Sequence, residues 1–351
     1  MGLIPQRDYF DKDIANSDNT SGYYIIEHND FVYNPRKSSD APYGPISRYA
    51  YPDAGIVSPL YLCFRAKGEV DTNFFEWYFH SSAWHRYIYM SGDSGARHDR
   101  VSIKDDDFFS MPICFPSSIE QKKIASFLNT IERRISSQQL LVDNLKKYKR
   151  GLLHEVLCEK IKITKSPWNV CKIGDYLSSK NIKQLPTPEA PLMAFTATGG
   201  VCDKGERYDR GFLVKDASTK LYKRTDLNDF IYSSNNLDVG SIGLNLYGSA
   251  VISDVYEIFS ISGADPWFIS EAIRQKPVLH QILKYRQGCL YGQYRIYAED
   301  FLEVSIRVPS LETQKQIGII FSRIDYRIKS EQALLKSLEN AQKFFLQQLF
   351  I

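Results

Sequence analysis

No stretch of 18 or more apolar residues occurs among the 351, so no membrane-crossing helix is expected. The opening Met1-Gly2-Leu3-Ile4-Pro5-Gln6-Arg7-Asp8 lacks the charged start and apolar core of a secretory signal. Six cysteines (Cys63, Cys114, Cys158, Cys171, Cys202, Cys289) are scattered without a C-x-x-C pair. That pattern predicts a reduced, cytoplasmic protein without a zinc finger. No G-x-x-x-x-G-K-[ST] loop is present, which argues against a P-loop ATPase or helicase. The six histidines form no ligand set: His80 and His85 are five apart and miss the i,i+4 face of a helical metal pair. No Ser/His/Asp or Cys/His set can be assembled. Neither a metal nor a cofactor is therefore expected. Charge is nearly balanced, 44 Lys+Arg against 41 Asp+Glu, a net +3 that neither demands nor excludes a polyanionic partner. What the chain does have is apolar and aromatic mass: 43% hydrophobic, with 23 Tyr and 20 Phe. This rules out global disorder and suits two or three domains.

The sequence repeats itself. Phe115-Pro116-Ser117-Ser118-Ile119-Glu120-Gln121-Lys122-Lys123-Ile124 matches Val308-Pro309-Ser310-Leu311-Glu312-Thr313-Gln314-Lys315-Gln316-Ile317 at an offset of 193. The same offset joins Gly95 to Gly288, Ile103 to Ile296, Asp107-Phe108 to Asp300-Phe301, Arg134 to Arg327 and Leu153 to Leu346. Further upstream the offset drifts: Asn29-Asp30-Phe31-Val32-Tyr33 matches Asn228-Asp229-Phe230-Ile231-Tyr232 at 199. Small deletions in surface loops account for such drift. Shared periodicity alone would not produce identities in loops, so the chain reads as a tandem duplication.

Each copy ends in a long helical pattern. Between about Ser118 and Cys158 there is no proline, and Ser117 or Ser118 ahead of Glu120 reads as an N-cap and acidic first turn. Two rows recur every seven residues: Ile124, Ile131, Gln138, Leu145, Leu152, and Leu128, Ile135, Val142, Lys149, Val156. The second copy repeats them as Ile317, Ile324, Glu331, Leu338, Phe345, and Phe321, Ile328, Leu335, Gln342, Leu349. Sustained heptads predict a coiled coil, and the matched polar interruptions Gln138/Glu331 and Lys149/Gln342 are of the kind that fixes register. Each helix would be about 60 Å long. Antiparallel pairing within the chain would relate the two copies by an approximate two-fold axis, which suits a two-part ligand such as duplex DNA.

Ahead of each helix lie short runs rich in Val, Ile, Tyr and Phe, at Asp30–Tyr33, Pro59–Arg65, Asp229–Tyr232 and Asp254–Ile261, which predict strands. Helices are expected over Asn73–Met90 and Pro266–Arg286. The fold class is thus α+β: two tandem recognition-type domains, separated and followed by long helices that pair as an antiparallel coiled coil. The expected boundaries are 1–112, 113–163, 164–306 and 307–351.

Tyr33-Asn34-Pro35-Arg36 shares Asn-Pro with the motif by which adenine methyltransferases hold the target amine. It lacks the second Pro and the aromatic, and reads as a turn. Phe195-Thr196-Ala197-Thr198-Gly199-Gly200 does not form G-x-G-x-x-G and reads as a glycine turn. Basic and aromatic residues near glycines or predicted loops are the better candidates for a ligand. The candidates for DNA contact are Arg36, Lys37, Arg48, Arg97 and Arg100 in the first copy. In the second they are Lys204, Arg207, Tyr208, Arg210, Lys223, Arg224 and Arg295. Lys146-Lys147-Tyr148-Lys149-Arg150 is a denser basic run, expected to be a solvated helix face.

The doubled Pro-x-x-x-Glu/Thr-Gln-Lys-x-Ile segment entering a long helix, the Trp168–Leu177 opening and the Asn-Asp-Phe-aliphatic-Tyr segments together resemble the specificity (S) subunits of type I restriction–modification enzymes. The resemblance covers nearly the whole chain. It implies that each domain reads half of a split site in double-stranded DNA and that the antiparallel helices set the gap. It also implies a subunit without catalysis that docks two methyltransferase (M) subunits, with the restriction (R) subunit joining the complex. A non-catalytic coiled-coil scaffold, an orphan or silent specificity cassette, and an enzyme with an unrecognised site remain the alternatives at this stage.

The first copy departs from the pattern. At the 199 offset Tyr9 matches Tyr208, so the first copy has no counterpart to residues 168–199. The first domain is expected to be N-terminally shortened, with an unpaired sheet edge, unless another chain completes it.

Overall fold

The computed structural model describes residues 2–9, 11, 20–92, 99–163, 167–197, 199–203, 219–235, 237, 241–288 and 294–350. The chain divides into two compact units, Met1–Val142 with Glu331–Ile351, and Asp143–Ser330.

In the first unit, β1 (Tyr24–Ile26) pairs with β4 (Gly55–Val57), and a second antiparallel sheet runs β3 (Ile46–Arg48), β2 (Phe31–Tyr33), β5 (Leu62–Phe64). All three residues of β2 are buried. Phe31 and Tyr33 pack with Phe74, Phe75 and Phe79 of α1 (Thr72–His80), Trp84 just ahead of α2 (His85–Ser91), and Phe108 of α3 (Asp105–Phe109). The long α4 (Ser118–Leu157) follows. Its entry is capped as the sequence implies: Ser117 Oγ accepts from the Glu120 amide at 3.4 Å.

The second unit begins with β6 (Asn169–Lys172), β7 (Leu177–Ser179), β8 (Lys183–Gln184), β9 (Ala194–Thr196) and β10 (Gly200–Cys202). Next come β11 (Tyr222–Thr225), β12 (Phe230–Ser233), β13 (Ile242–Leu244), β14 (Ala250–Ile252) and β15 (Tyr256–Ile261). The unit ends with α5 (Pro266–Ile273), α6 (Lys276–Leu283), β16 (Gln287–Gly288), β17 (Tyr294–Arg295), α7 (Ala298–Leu302), β18 (Ser305–Val308) and the start of α8 (Leu311–Leu349). Its main sheet has the order β13-β12-β15-β7, beside a three-stranded β14-β11-β8. The glycine turn falls between β9 and β10, with Gly200 at φ +63°.

The duplication is visible residue by residue. Phe31 faces Phe64 as Phe230 faces Phe259, and Tyr33 faces Leu62 as Tyr232 faces Glu257. Asn29 and Asn228 both take a left-handed turn, φ +73° and +67°, a conformation asparagine tolerates better than most side chains. The following aspartates, Asp30 and Asp229, accept from the amides of Glu27 and Asp226, each at 2.7 Å. The repeated Asn-Asp-Phe segment is therefore a turn that launches the central strand. Each of the two expected helices is broken in two. Ser81 leaves the helical region at φ −82°, ψ 175° after α1, and Gln275 is extended at φ −66°, ψ 140° as the N-cap of α6 after α5.

The doubled glutamine has a structural task. Gln121 Oε1 accepts from the Asp71 amide at 2.9 Å, and its Nε2 donates to Pro116 O at 2.9 Å. Gln314 does the same with the Asp265 amide at 3.0 Å and Pro309 O at 2.9 Å. Asp71 and Asp265 are in turn the N-caps of α1 and α5. Each glutamine ties the start of a long helix to the start of a domain helix. Asp265 lies so close to α8 that a Cβ at Gly318 would collide with its carboxylate.

Second-unit strands without a counterpart in the first unit, among the described residues, include β6, which pairs with β18; β7, which pairs with β15; and β8, which pairs with β11. Two substitutions offset the difference. In the second unit Lys180, just past β7, bonds Asp229 at 2.7 Å. In the first, Arg65 at the end of β5 bonds Asp30 at 2.5 Å. Trp168 lies against Phe268 with ring centres 5.7 Å apart, and Phe350 lies 5.3 Å from the equivalent Phe74. A cavity of about 500 Å³ lined by Phe74, Pro112, Phe115 and Phe350 remains there.

Every member of the four heptad rows is buried or half-buried, including Ile124, Leu128, Ile131, Ile135, Val142 and Leu145, and Ile317, Phe321, Ile324, Ile328, Leu335 and Leu338. Within the first unit, α4 and α8 run antiparallel: Gln138 meets Glu331, Glu132 meets Gln342 at 2.7 Å, and Phe127 meets Phe345. Gln138 Nε2 donates to Glu331 Oε2 at 2.5 Å and to its backbone oxygen at 3.1 Å. Within the second unit, Lys149 donates to Asp325 at 2.9 Å and to Glu271 at 2.8 Å. Asp325 is the repeat counterpart of Glu132, and Lys149 of Gln342.

Replacing Gln138 alone with Leu leaves the Glu331 carboxylate buried without its donor, and should cost about 2–3 kcal/mol. The Gln138→Leu/Glu331→Leu double variant should match or exceed the wild type in stability. Urea unfolding of the full chain, with its midpoint and slope, measures both.

Candidate nucleic-acid interface

The structure describes seven of the twelve basic or aromatic candidates. Arg97, Lys204, Arg207, Tyr208 and Arg210 lie outside the described residues. The seven differ sharply in their surroundings. Arg36 and Lys37 are exposed just beyond β2, where the Asn34 side chain accepts from the Arg36 amide at 3.0 Å. This is the turn read from Tyr33-Asn34-Pro35-Arg36. Among the described residues, neither side chain has an ionic partner.

Arg48 is engaged within its own unit. Its guanidinium donates to Glu76 at 2.8 Å and to Asn29 Oδ1 at 3.0 Å. Lys223 is buried, only 7% exposed, and donates to Glu257 at 2.9 Å and to Tyr256 O at 2.8 Å. Its positive charge is spent inside the fold, since a buried ammonium needs such a partner. Arg224 reaches Asp226 at 3.2 Å and Gln184 at 3.4 Å.

The Asp226 carboxylate anchors this corner. Burial alone would raise its pKa, but hydrogen bonds from Lys180, Ser249 and Arg224 outweigh burial and hold it well below the ordinary value of 3.8. In the first unit burial likewise works to raise Asp30, and the Arg65 and Glu27 hydrogen bonds bring it below that value.

Arg100 and Arg295 are structural counterparts. Arg100 is bridged to Arg36 and Arg295 to Asn235. The next amides, Val101 and Ile296, donate to Pro35 O at 2.8 Å and to Ser234 O at 3.1 Å. Val101, not Ile103, therefore matches Ile296, and the offset here is 195. The surroundings of the two arginines differ. Arg295 donates to Glu257 at 3.3 Å and lies 4.9 Å over the Tyr297 ring. Strand register places Leu62 where Glu257 stands and Tyr24 where Lys223 stands. The Lys223–Glu257–Arg295 network thus becomes Tyr24, Leu62 and Arg100, and Arg100 Nε is buried without a hydrogen-bond partner among the described residues. Tyr24 and Leu62 escaped the sequence reading because the offset shifts between the segments that meet here.

Among the described residues, no three His, Cys, Asp or Glu side chains come together to hold a metal ion. No described helix is long and apolar enough to cross a membrane.

The repeated sheet registers, the paired glutamine clamps and the two long helices define a duplicated α+β fold with a long helix after each copy. The family model described as the type I restriction modification DNA specificity domain matches residues 11–146 and 210–340. The chain belongs to this family and is a DNA specificity subunit of a type I restriction–modification system. Among solved structures, the chain is similar to the S subunit of a type I restriction–modification system from M. genitalium. The TM-score is 0.57 at 15% identity, over 97% of this chain and 87% of that one. It is also similar to a chain from work on complex assembly and conformational transition of the type I R-M system, with TM-score 0.53 at 15% identity, over 93% and 82%. At such identity the likeness is one of fold. No curated protein matches the chain.

Two predictions separate internal ion pairs from ligand contacts. Lys223→Met should lower stability by about 1–3 kcal/mol and leave the salt dependence of DNA binding unchanged. Thermal unfolding and binding titrations over a salt series check this. Lys180→Met should lower stability by about 1–2 kcal/mol near neutral pH, the partial exposure of Asp226 limiting the effect. Because the folded pKa of Asp226 is depressed, its contribution is complete above 3.8 and is lost as pH falls below that value. The stability gap between wild type and Lys180→Met should therefore narrow progressively as pH falls below 3.8, as measured by urea midpoints.

Proposed function

We propose that the chain reads a two-part duplex DNA target, one half through each recognition domain, with α4 and α8 setting the gap. The proposed recognition domains are residues 1–112 and 164–306. The conserved helices are 113–163 and 307–351. The chain works in the cytoplasm without a catalytic centre or cofactor of its own. It docks the methyltransferase subunits, which methylate adenine with S-adenosylmethionine, and the restriction subunit joins through that complex.

The observation that carries this reading is the contact of Gln138 with its own repeat counterpart Glu331. A residue that meets its own equivalent marks a two-fold relation between the paired helices. A duplex site with two half-sites has matching symmetry. Arg36 and Lys37, exposed on a turn, are the proposed phosphate contacts of the first domain.

The purified chain should shift duplex DNA with a steep salt dependence and show no methyltransferase, nuclease or ATPase turnover without partners. Expressed with its methyltransferase, it should direct methylation to one split sequence, read by methylome sequencing. Inserting four residues into each long helix adds about 6 Å, roughly two base pairs at about 3.4 Å each. The gap should grow by that amount with both half-sites unchanged. Absence of DNA binding would favour a scaffold, and altered half-sites with a constant gap would overturn the ruler.

A further inference from the structure

The two units differ most where they should be most alike. In the second, Glu257 lies between two cations, Lys223 at 2.9 Å and Arg295 at 3.3 Å. In the first, the same backbone positions carry Leu62, Tyr24 and Arg100, and Tyr61 matches Tyr256. One cation has been kept while its carboxylate has been removed. Burying a guanidinium nitrogen without an acceptor costs free energy, so its retention calls for an acceptor from elsewhere.

The space for that acceptor is present. All four positions, the substituted Tyr24 and Leu62 and the retained Tyr61 and Arg100, line one cavity of about 710 Å³ in the first unit. Arg100 Nε is buried and has no hydrogen-bond partner among the described residues. The volume is many times that of one water, whose share of the liquid is about 30 Å³. Asp105 shares the lining, and its negative charge disfavours a doubly charged anion more than a singly charged one. A phosphodiester carries one charge. The tyrosines in the lining offer surface to the sugar or base attached to it.

We propose that this cavity is a phosphodiester site: a backbone phosphate of nucleic acid takes the place that the Glu257 carboxylate fills in the second unit, with Arg100 as its donor. The second unit has no such site, because its own glutamate occupies it. This rests on the DNA-binding reading and goes beyond it, by making one half of the subunit hold the backbone in a cavity that the other half has closed. Arg100 and Arg295, equivalent in sequence copy and backbone position, then play different parts: Arg100 binds ligand, and Arg295 is neutralised within the fold.

The test installs the second unit's network in the first. Tyr24→Lys/Leu62→Glu leaves the net charge unchanged and supplies Arg100 with an internal carboxylate, so it should fold with at least wild-type thermal stability. Arg100→Gln removes the donor instead. On the full chain, with random-sequence duplex at about 150 mM salt, both should bind roughly tenfold more weakly. The slope of log K against log salt should fall by about 0.9, the value for one phosphate of B-DNA. A dinucleotide with a single phosphodiester should raise the melting temperature of wild type and of neither variant, which separates the site itself from the duplex. Binding and slope equal to wild type in both variants would overturn the site, while the duplex binding seen there would leave the broader reading standing. No binding of duplex or dinucleotide by the wild-type chain would overturn both.

Discussion

A buried amide paired with a buried carboxylate permits only one alignment of the two long helices. Gln138 and Glu331 are 4% and 7% exposed, and they satisfy each other at 2.5 Å. Sliding one helix by a single turn would move the carboxylate about 5.4 Å from the Gln138 donor. The apolar members of the rows supply attraction but little choice of register, because one leucine or isoleucine serves much like the next. The polar members supply the choice. Lys149 with Asp325 and Gln342 with Glu132 repeat the constraint on either side of the central pair.

The same economy appears where helix meets domain. Gln121 and Gln314 each spend both ends of one amide on backbone groups that no helix or sheet would satisfy. The result is a fixed start for the long helix relative to an N-cap aspartate in the same unit. A Glu there would lose the donor to Pro116 O or Pro309 O, and a Leu would lose both bonds. The glutamine of the doubled Pro-x-x-x-Glu/Thr-Gln-Lys-x-Ile segment is thus explained by hydrogen bonding within each fold.

Much of the fold was legible in the sequence, for identifiable reasons. Long helices declare themselves by period; of the polar members of the rows, Gln138 and Glu331 are buried and Lys149 and Gln342 half-buried, although the sequence predicts a solvated face for the basic run containing Lys149. The Asn-Asp-Phe segments marked the central strands because a left-handed asparagine and a capping aspartate are local features. The site was less legible. Lys223 looked like any loop lysine until its strand partners placed Glu257 beside it, and Arg48 until Glu76 reached it. The match of Arg100 to Arg295 was hidden because the loop deletions between the copies shift the offset by two there. The replacement of Lys180 by Arg65 was hidden for a stronger reason: the two cations come from different strands and only their shared aspartate is equivalent.

The first unit is assembled from two distant stretches, Met1–Val142 and Glu331–Ile351, whereas the second is one continuous stretch, Asp143–Ser330. On the ribosome the second unit can close as soon as it emerges. The first must wait, because Phe350 and its neighbours belong to its core. At roughly 5–20 residues per second, Leu128 and Phe74 stand without their last partners for on the order of ten seconds or more. During that interval the nascent chain carries an open apolar seam. Birth order and folding order are therefore reversed: the half that is made first is the half that is finished last.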